Sequence, residues 1–138
     1  MITVETSCLE ALISTCVSLK KLSLENCQIT DNVCYYLADQ NSETLETLHL
    51  AMVTGLSDSG IGRIIQSCQN LTDLNLGWTN LSELAFDMIC NLFSKKLRKL
   101  NLSGHRDTFS DEHVEELITT CPNLVELDIS DWRVYFYV

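Results

Sequence analysis

Five copies of one short figure recur along this chain at a nearly fixed interval. That interval restricts the fold more than any other feature. In residues 97–103 the figure reads Leu97-Arg98-Lys99-Leu100-Asn101-Leu102-Ser103, with apolar residues at its first, fourth and sixth places. It begins again at Leu19, Leu45, Leu71 and Leu124, so successive starts are 26, 26, 26 and 27 residues apart. A figure repeated at such a period marks an array of small units that bury their apolar faces against one another.

This period and pattern are those of a leucine-rich repeat, each copy contributing one strand, one loop and one helix. The expected architecture is an α/β solenoid, a segment of a ribonuclease-inhibitor-like horseshoe. Its parallel strands line the concave face and its helices the convex face. Residues 1–138 read as a single leucine-rich-repeat domain of about five repeats, the first and last incomplete. Within a strand, alternation places Leu48 and Leu50 inside and Thr47, His49 and Ala51 outside.

A second figure follows each strand: an apolar residue, then Ser or Thr, then an acid. It occurs as Ile29-Thr30-Asp31, Leu56-Ser57-Asp58, Leu81-Ser82-Glu83 and Phe109-Ser110-Asp111. The hydroxyl is a candidate helix N-cap, and the acid suits the positive end of the helix dipole. Counting from the acid, places +3, +6, +7 and +10 are mostly apolar. They are Ile61, Ile64, Ile65 and Cys68 in one helix and Val114, Leu117, Ile118 and Cys121 in another. The remaining two helices give Phe86, Ile89, Cys90 and Phe93, and Cys34, Leu37 and Ala38, where Asn41 breaks the pattern. That spacing lays one stripe of each helix against the sheet. At the start, Leu9, Leu12, Ile13 and Cys16 fall on the same places if Thr6 stands for the acid, giving a helix without its strand. After the fifth strand motif, residues 131–138 continue neither figure, so the chain reads as part of a longer solenoid or as one whose ends pair with something else.

Composition narrows the class of partner. The formal charge is -10 at pH 7, which opposes the basic footprint of nucleic-acid binding and disfavours acidic membrane surfaces. No apolar run approaches the roughly 20 residues of a membrane helix, and Met1-Ile2-Thr3-Val4-Glu5 lacks the basic start and apolar run of a signal peptide. Seven cysteines without a secretory signal fit reduced thiols in the nucleus or cytoplasm. Six of them fall on repeat places, and Cys8 alone lies outside the pattern. There is no Cys-x-x-Cys pair of the kind zinc requires, and no metal or other cofactor is expected. Asn70, Asn80 and Asn101 begin glycosylation triplets, but a repeat rich in Asn-Leu-Ser produces these by chance.

Catalysis finds little support. His49 is expected on the concave face, His105 in a loop, and His113 at +2 of its helix, off the core stripe. No nucleophile or acid is spaced around them as a triad, and no Gly-rich phosphate loop follows a strand. A hydrolase or transferase built on His49 or His105 is the enzymatic alternative. The basic run at residues 95–99 reads as a solvated helix-to-strand turn in which only Lys99 reaches the concave side.

The concave sheet is the expected binding surface, because stacking aligns one face of every strand. Its rows are Lys21, Ser23, Glu25; Thr47, His49, Ala51; Asp73, Asn75, Gly77; Lys99, Asn101, Ser103; and Glu126, Asp128, Ser130. The face is polar and mixed in sign, with acid gathered at the C-terminal end, and suits a protein or peptide. Trp78 and Trp132 stand just beyond strands as candidate anchors, although Trp132 takes the loop place of Cys27 and reads equally well as core.

These repeats resemble the cysteine-containing leucine-rich repeats of F-box proteins. The marks are Leu-x-x-Leu-x-Leu-x-x-Cys from Leu19 to Cys27, then Ile29-Thr30-Asp31, and a Cys before the next strand, as in Cys121-Pro122-Asn123-Leu124. The resemblance covers about residues 7–131 and is strongest to the S-phase kinase-associated branch of that family. It implies a substrate receptor of an SCF ubiquitin ligase, with phosphorylated cell-cycle regulators as cargo and ubiquitin-dependent degradation as the outcome. The sequence carries no F-box, so SCF subunits are expected as partners only if a longer form supplies one. Asp73, Asn75, Trp78, Lys99 and Asn101 are the residues the resemblance places toward cargo. A repeat scaffold or inhibitor with no ubiquitin link, and a truncated fragment, are the alternatives.

Overall fold

In the computed structural model, which describes residues 5–92 and 95–131, the chain forms five helices and five strands in strict alternation. They are α1 (Thr6–Thr15), β1 (Lys21–Ser23), α2 (Asp31–Gln40), β2 (Thr47–His49), α3 (Asp58–Ser67), β3 (Asp73–Asn75), α4 (Glu83–Leu92), β4 (Lys99–Asn101), α5 (Asp111–Thr120) and β5 (Glu126–Asp128). The strands form one parallel sheet in chain order, and neighbours pair at equivalent repeat places: Leu22 with Leu48, Leu48 with Leu74, Leu74 with Leu100, and Leu100 with Leu127. Each helix packs on its sequence neighbours. This is the α/β leucine-rich-repeat solenoid that the spacing requires.

The strand leucines and the helix stripes meet in one continuous core. Leu48, Leu50, Leu74, Leu76, Leu100 and Leu102 are buried on the sheet side, against Ile61, Ile64, Phe86 and Ile89 from the helices. In the first and last described helices part of the stripe is exposed: Leu12 of α1 and Ile118 of α5 are 62% and 69% exposed. Phe93, another stripe residue, lies outside the described residues, as do Trp132 and the rest of residues 132–138.

Three expectations need correction. The +2 place belongs to the core, for Val33, Gly60, Ala85 and His113 are all buried there. Ala51 lies in the turn after β2 and is buried rather than outside. Nor is the acid after the hydroxyl merely a dipole partner. Asp31 accepts from the Ser57 backbone N–H at 2.9 Å and from the Ser57 hydroxyl, and Asp58 holds Ser82 in the same way at 3.0 Å. Each of these acids therefore staples its helix to the start of the next. Ser57 makes no side-chain cap to its own helix, whereas Thr30, Ser82 and Ser110 do.

Asn41, the break in the α2 stripe, is fully satisfied in the core. Its Oδ1 accepts from the Leu19 N–H at 2.8 Å and its Nδ2 donates to the Cys16 carbonyl at 2.9 Å. An amide here ties the start of the first strand motif to the end of α1, which an aliphatic residue could not do.

Candidate functional site

Parallel pairing at a constant register turns the outward residues of β2 to β5 into rows. The first row runs Thr47, Asp73, Lys99, Glu126 and the second His49, Asn75, Asn101, Asp128. Between them lies an open groove of about 610 Å³. Asp73, Asn75, Lys99 and Asn101 all line it, so four of the five residues expected to face cargo are brought together.

The second row is fixed by the turns that follow the strands. The Oδ1 atoms of Asn75, Asn101 and Asp128 each accept, at 2.9 Å, from the backbone N–H two residues on, in Gly77, Ser103 and Ser130. Such side-chain turns hold the carbonyl or carboxylate end rigidly and leave the other end of the group toward the groove. Asn101 Nδ2 donates across the strands to Asp128 Oδ2 at 3.3 Å. Gly77 is small by necessity, since a Cβ there would lie 2.6 Å from Ser103 Oγ.

Charges in the first row are paired at moderate exposure. Lys99 Nζ lies 3.4 Å from Glu126 Oε1, with both side chains at least half exposed. His49 sits between two carboxylates, 3.0 Å from Asp73 and 4.0 Å from Glu25. Hydrogen bonds from the Ser130 hydroxyl and backbone hold the Asp128 carboxyl below the usual carboxylate range.

Trp78 stands apart from this lining. It occupies the left-handed turn after β3 (φ 56°), its N–H donating to the Ser103 carbonyl at 2.9 Å. Its ring lies over Gly104, where a Cβ would come within 2.4 Å of a ring carbon. Asn26, Met52 and Gly104 hold the equivalent left-handed place in neighbouring repeats. Sequence reasoning missed this place, because only its Asn and Gly advertise a positive φ.

The other candidate groups are structural. His105 is buried and its Nε2–H donates to the Leu76 carbonyl at 2.9 Å. His113 is buried at the start of α5, its Nδ1 accepting from the Ser110 N–H and its Nε2–H donating to Asp87, each at 2.9 Å. Neither lines the concave groove. Burial raises the thiols of Cys34 and Cys121, that of Cys68 to about 11 and that of Cys90 to about 12. A thiol pKa above the working pH means little thiolate and little nucleophilicity. At pH 8 a thiol reagent such as dithionitrobenzoate should label the exposed Cys8 within minutes. Cys34, Cys68, Cys90 and Cys121 should react only after denaturant is added. Fast labelling of all seven thiols in the native protein would show that these helices do not pack as described.

Comparison with known proteins follows the same lines. Residues 1–135 match the family model described as the SKP2 LRR domain. An F-box/FBD/LRR-repeat protein of Arabidopsis thaliana is 32% identical over 90% of this chain. F-box/LRR-repeat protein 4 of Bos taurus is 29% identical over 88% of it. The chain spans 28% and 20% of the length of these two relatives. Among solved structures, the tropomodulin C-terminal domain of Caenorhabditis elegans superimposes on 93% of the chain with a TM-score of 0.65. Leiomodin-1 actin-binding site 2 superimposes on all of it with the same score. These two are 18% and 14% identical to this chain and cover 83% of their own chains, a likeness of fold.

Proposed function

The chain belongs to the SKP2 LRR domain family, and on that premise we propose that it is the protein-binding, substrate-recognition part of an F-box (SCF-type) ubiquitin ligase. The observation that carries this reading is the concave groove, where polar side chains from consecutive strands converge in a chain whose relatives are F-box/LRR-repeat proteins. The strand frame sets these side chains at fixed spacing before any partner arrives, so little ordering cost falls on the module when it binds. The two groove histidine neighbours are carboxylates, which orient His49 without giving it a nucleophile to activate. Binding rather than bond-making is what such a face supplies.

Cell-cycle regulators are the proposed cargo, met in the nucleus or cytoplasm, and their ubiquitin-dependent degradation is the proposed consequence. SCF subunits would join through an F-box on a longer form. Asp73, Asn75, Lys99 and Asn101 would contact cargo directly, with Trp78 at the groove's edge.

The test reverses two charges without altering the total. Asp73→Lys with Lys99→Glu should reduce recovery of cell-cycle regulators in a tagged pull-down roughly tenfold or more, the range of a hot-spot loss. The circular dichroism spectrum and melting temperature should not move. Equal recovery with the fold intact would remove this surface from the reading. Recovery of cargo with no ligase subunit on any longer form would favour a scaffold or inhibitor instead.

A further inference from the structure

We infer that the convex groove between α3 and α4 docks an amphipathic helix of another protein, its apolar face against Leu84 and Met88 and its basic flank toward α5. This surface lies on the helix side of the solenoid, away from the concave sheet, and does not depend on the cargo reading of that sheet.

Repeat position is the first argument. Counting from the acid that opens each of α2 to α5, places +1 and +5 are Asn32 and Tyr36 in α2, Ser59 and Arg63 in α3, and Glu112 and Glu116 in α5. In α4 they are Leu84 and Met88. The +1 place is exposed in all four helices, so the core of the solenoid makes no demand for leucine there. Leu84 is nonetheless apolar and 59% exposed.

Shape supplies the second, independent argument. Leu84 and Met88 form one wall of an open groove of about 400 Å³, and α3 supplies the other through Gly62, Arg63 and Gln66. Gly62 makes room for the thioether, since a Cβ there would lie 3.2 Å from Met88 Sδ. Charges on the α3 wall are satisfied within the chain, Arg63 by Asp39 at 2.5 Å and Asp58 by Ser82. What the groove offers a partner is therefore apolar. Leu84 and Met88 stand one helical turn apart, about 5–6 Å between Cβ atoms. A helix repeats its own apolar side chains at that interval, and the groove between two packed helices accepts such a ridge.

Charge fixes the flank of the occupant. The same two places on the neighbouring α5 are the exposed Glu112 and Glu116, and neither α4 nor α5 contains Lys or Arg. A helix seated on Leu84 and Met88 meets acid on its α5 side, where Lys or Arg stems can lie along the groove and carry their charged ends to the glutamates. The chain as a whole carries -10, which steers a basic segment toward it and repels an anionic lipid surface.

The probe is a fluorescein-labelled helix of about 18 residues built from Leu, Ala and Lys, with Leu along one face. Its counterpart carries Glu for every Lys. Fluorescence anisotropy with the whole chain reads binding. Carbon-13 methyl labelling of methionine locates it, since Met88 reports the convex groove and Met52 the turn after β2. The Lys probe should bind at least roughly tenfold tighter than the Glu probe and should move the Met88 methyl signal while leaving that of Met52 in place. Leu84→Glu should weaken binding roughly tenfold or more, the range of a hot-spot loss. Its melting temperature should not fall, because the side chain is exposed and an acid suits a first helical turn. Glu112→Gln with Glu116→Gln should weaken binding severalfold. Glu43→Gln with Glu46→Gln removes the same charge from the turn between α2 and β2 and should leave binding within about twofold. Equal losses from the two double variants would mean diffuse attraction to an acidic protein and would overturn the inference. So would full binding by Leu84→Glu, or movement of Met52 with Met88 unmoved. Self-association of the free chain that Leu84→Glu abolishes would make a second copy the occupant and would overturn it as well.

Discussion

Phe86→Ala is expected to lower the unfolding free energy by about 3–5 kcal/mol, the range for removing a buried aromatic ring. Phe86 lies at the +3 place of α4, fully buried. Its ring meets His105 edge-on at 4.9 Å and Phe109 edge-on at 5.7 Å, with His113 at 6.1 Å. It therefore touches the loop after β4 and the capped start of α5 as well as its own repeat. Edge-on aromatic pairs add about 0.5–1.5 kcal/mol beyond area burial. In a solenoid the loss falls on the interfaces of adjacent repeats. A domain holding about 5–15 kcal/mol in total would be left marginal. Ile118→Ala is the control. It occupies the same kind of stripe on α5 but is 69% exposed, so it should cost under about 1 kcal/mol. Urea unfolding followed by circular dichroism reads both. A cost below about 1.5 kcal/mol for Phe86→Ala would mean that α4 and α5 are not joined through this ring.

The contrast between these two residues marks what the sequence could and could not disclose. Alternation around Leu48 and the stripe of Ile61, Ile64 and Ile65 are amphipathic signals, so the strands, the helices and their packing faces were legible. The +2 core place was not, because Val33, Gly60, Ala85 and His113 share no hydrophobic signature. Two of them face the preceding helix: Gly60 lets Asp31 of α2 approach, since a Cβ there would lie 2.4 Å from its Oδ1, and His113 is kept by hydrogen bonds to Ser110 and to Asp87 of α4. The exposure of Ile118 was likewise hidden, since periodicity gives a face but not whether a neighbour covers it.

The site divides the same way. Asp73, Asn75, Lys99 and Asn101 could be placed on one face because strands alternate and repeats stay in register. The Asn101–Asp128 and Lys99–Glu126 contacts follow from that register too. Trp78 could be placed beyond a strand but not oriented, because its position depends on the missing Cβ of Gly104, one repeat away. Whether its side chain reaches the groove is set by a left-handed turn that Met52 and Trp78, unlike Gly, do not announce.

Gly55→Ala is expected to cost about 3–5 kcal/mol, although the change adds one methyl to an exposed loop. From the start of the strand motif to the helix acid, the second repeat takes one residue more than the first. Register shows where the extra residue sits. Gln28 still bridges Thr54, 26 places on, whereas buried Ile29 is matched by buried Leu56, 27 places on. Gly55 is the residue in between. It takes φ +88°, a conformation L side chains rarely adopt, and a Cβ there would lie 1.7 Å from the Ile29 carbonyl oxygen. That oxygen is backbone and cannot rotate away. Ile29 is itself held by its N–H donating to Thr54 at 2.9 Å, and the Thr54 N–H donates to Cys27 at 3.1 Å. The variant therefore carries left-handed strain of about 1–3 kcal/mol and must also lift the loop off the preceding repeat, which forfeits two hydrogen bonds at about 1 kcal/mol each and uncovers Ile29. Met52→Gly separates the clash from a general sensitivity of this edge. Met52 also has a positive φ (57°) but is 49% exposed, so glycine there relieves strain and should change stability by less than about 1 kcal/mol. Urea midpoints for the two variants decide it. Equal small shifts would mean that the loop does not rest on Ile29, whereas a large loss confined to Gly55→Ala places the extra residue of the second repeat where the register puts it.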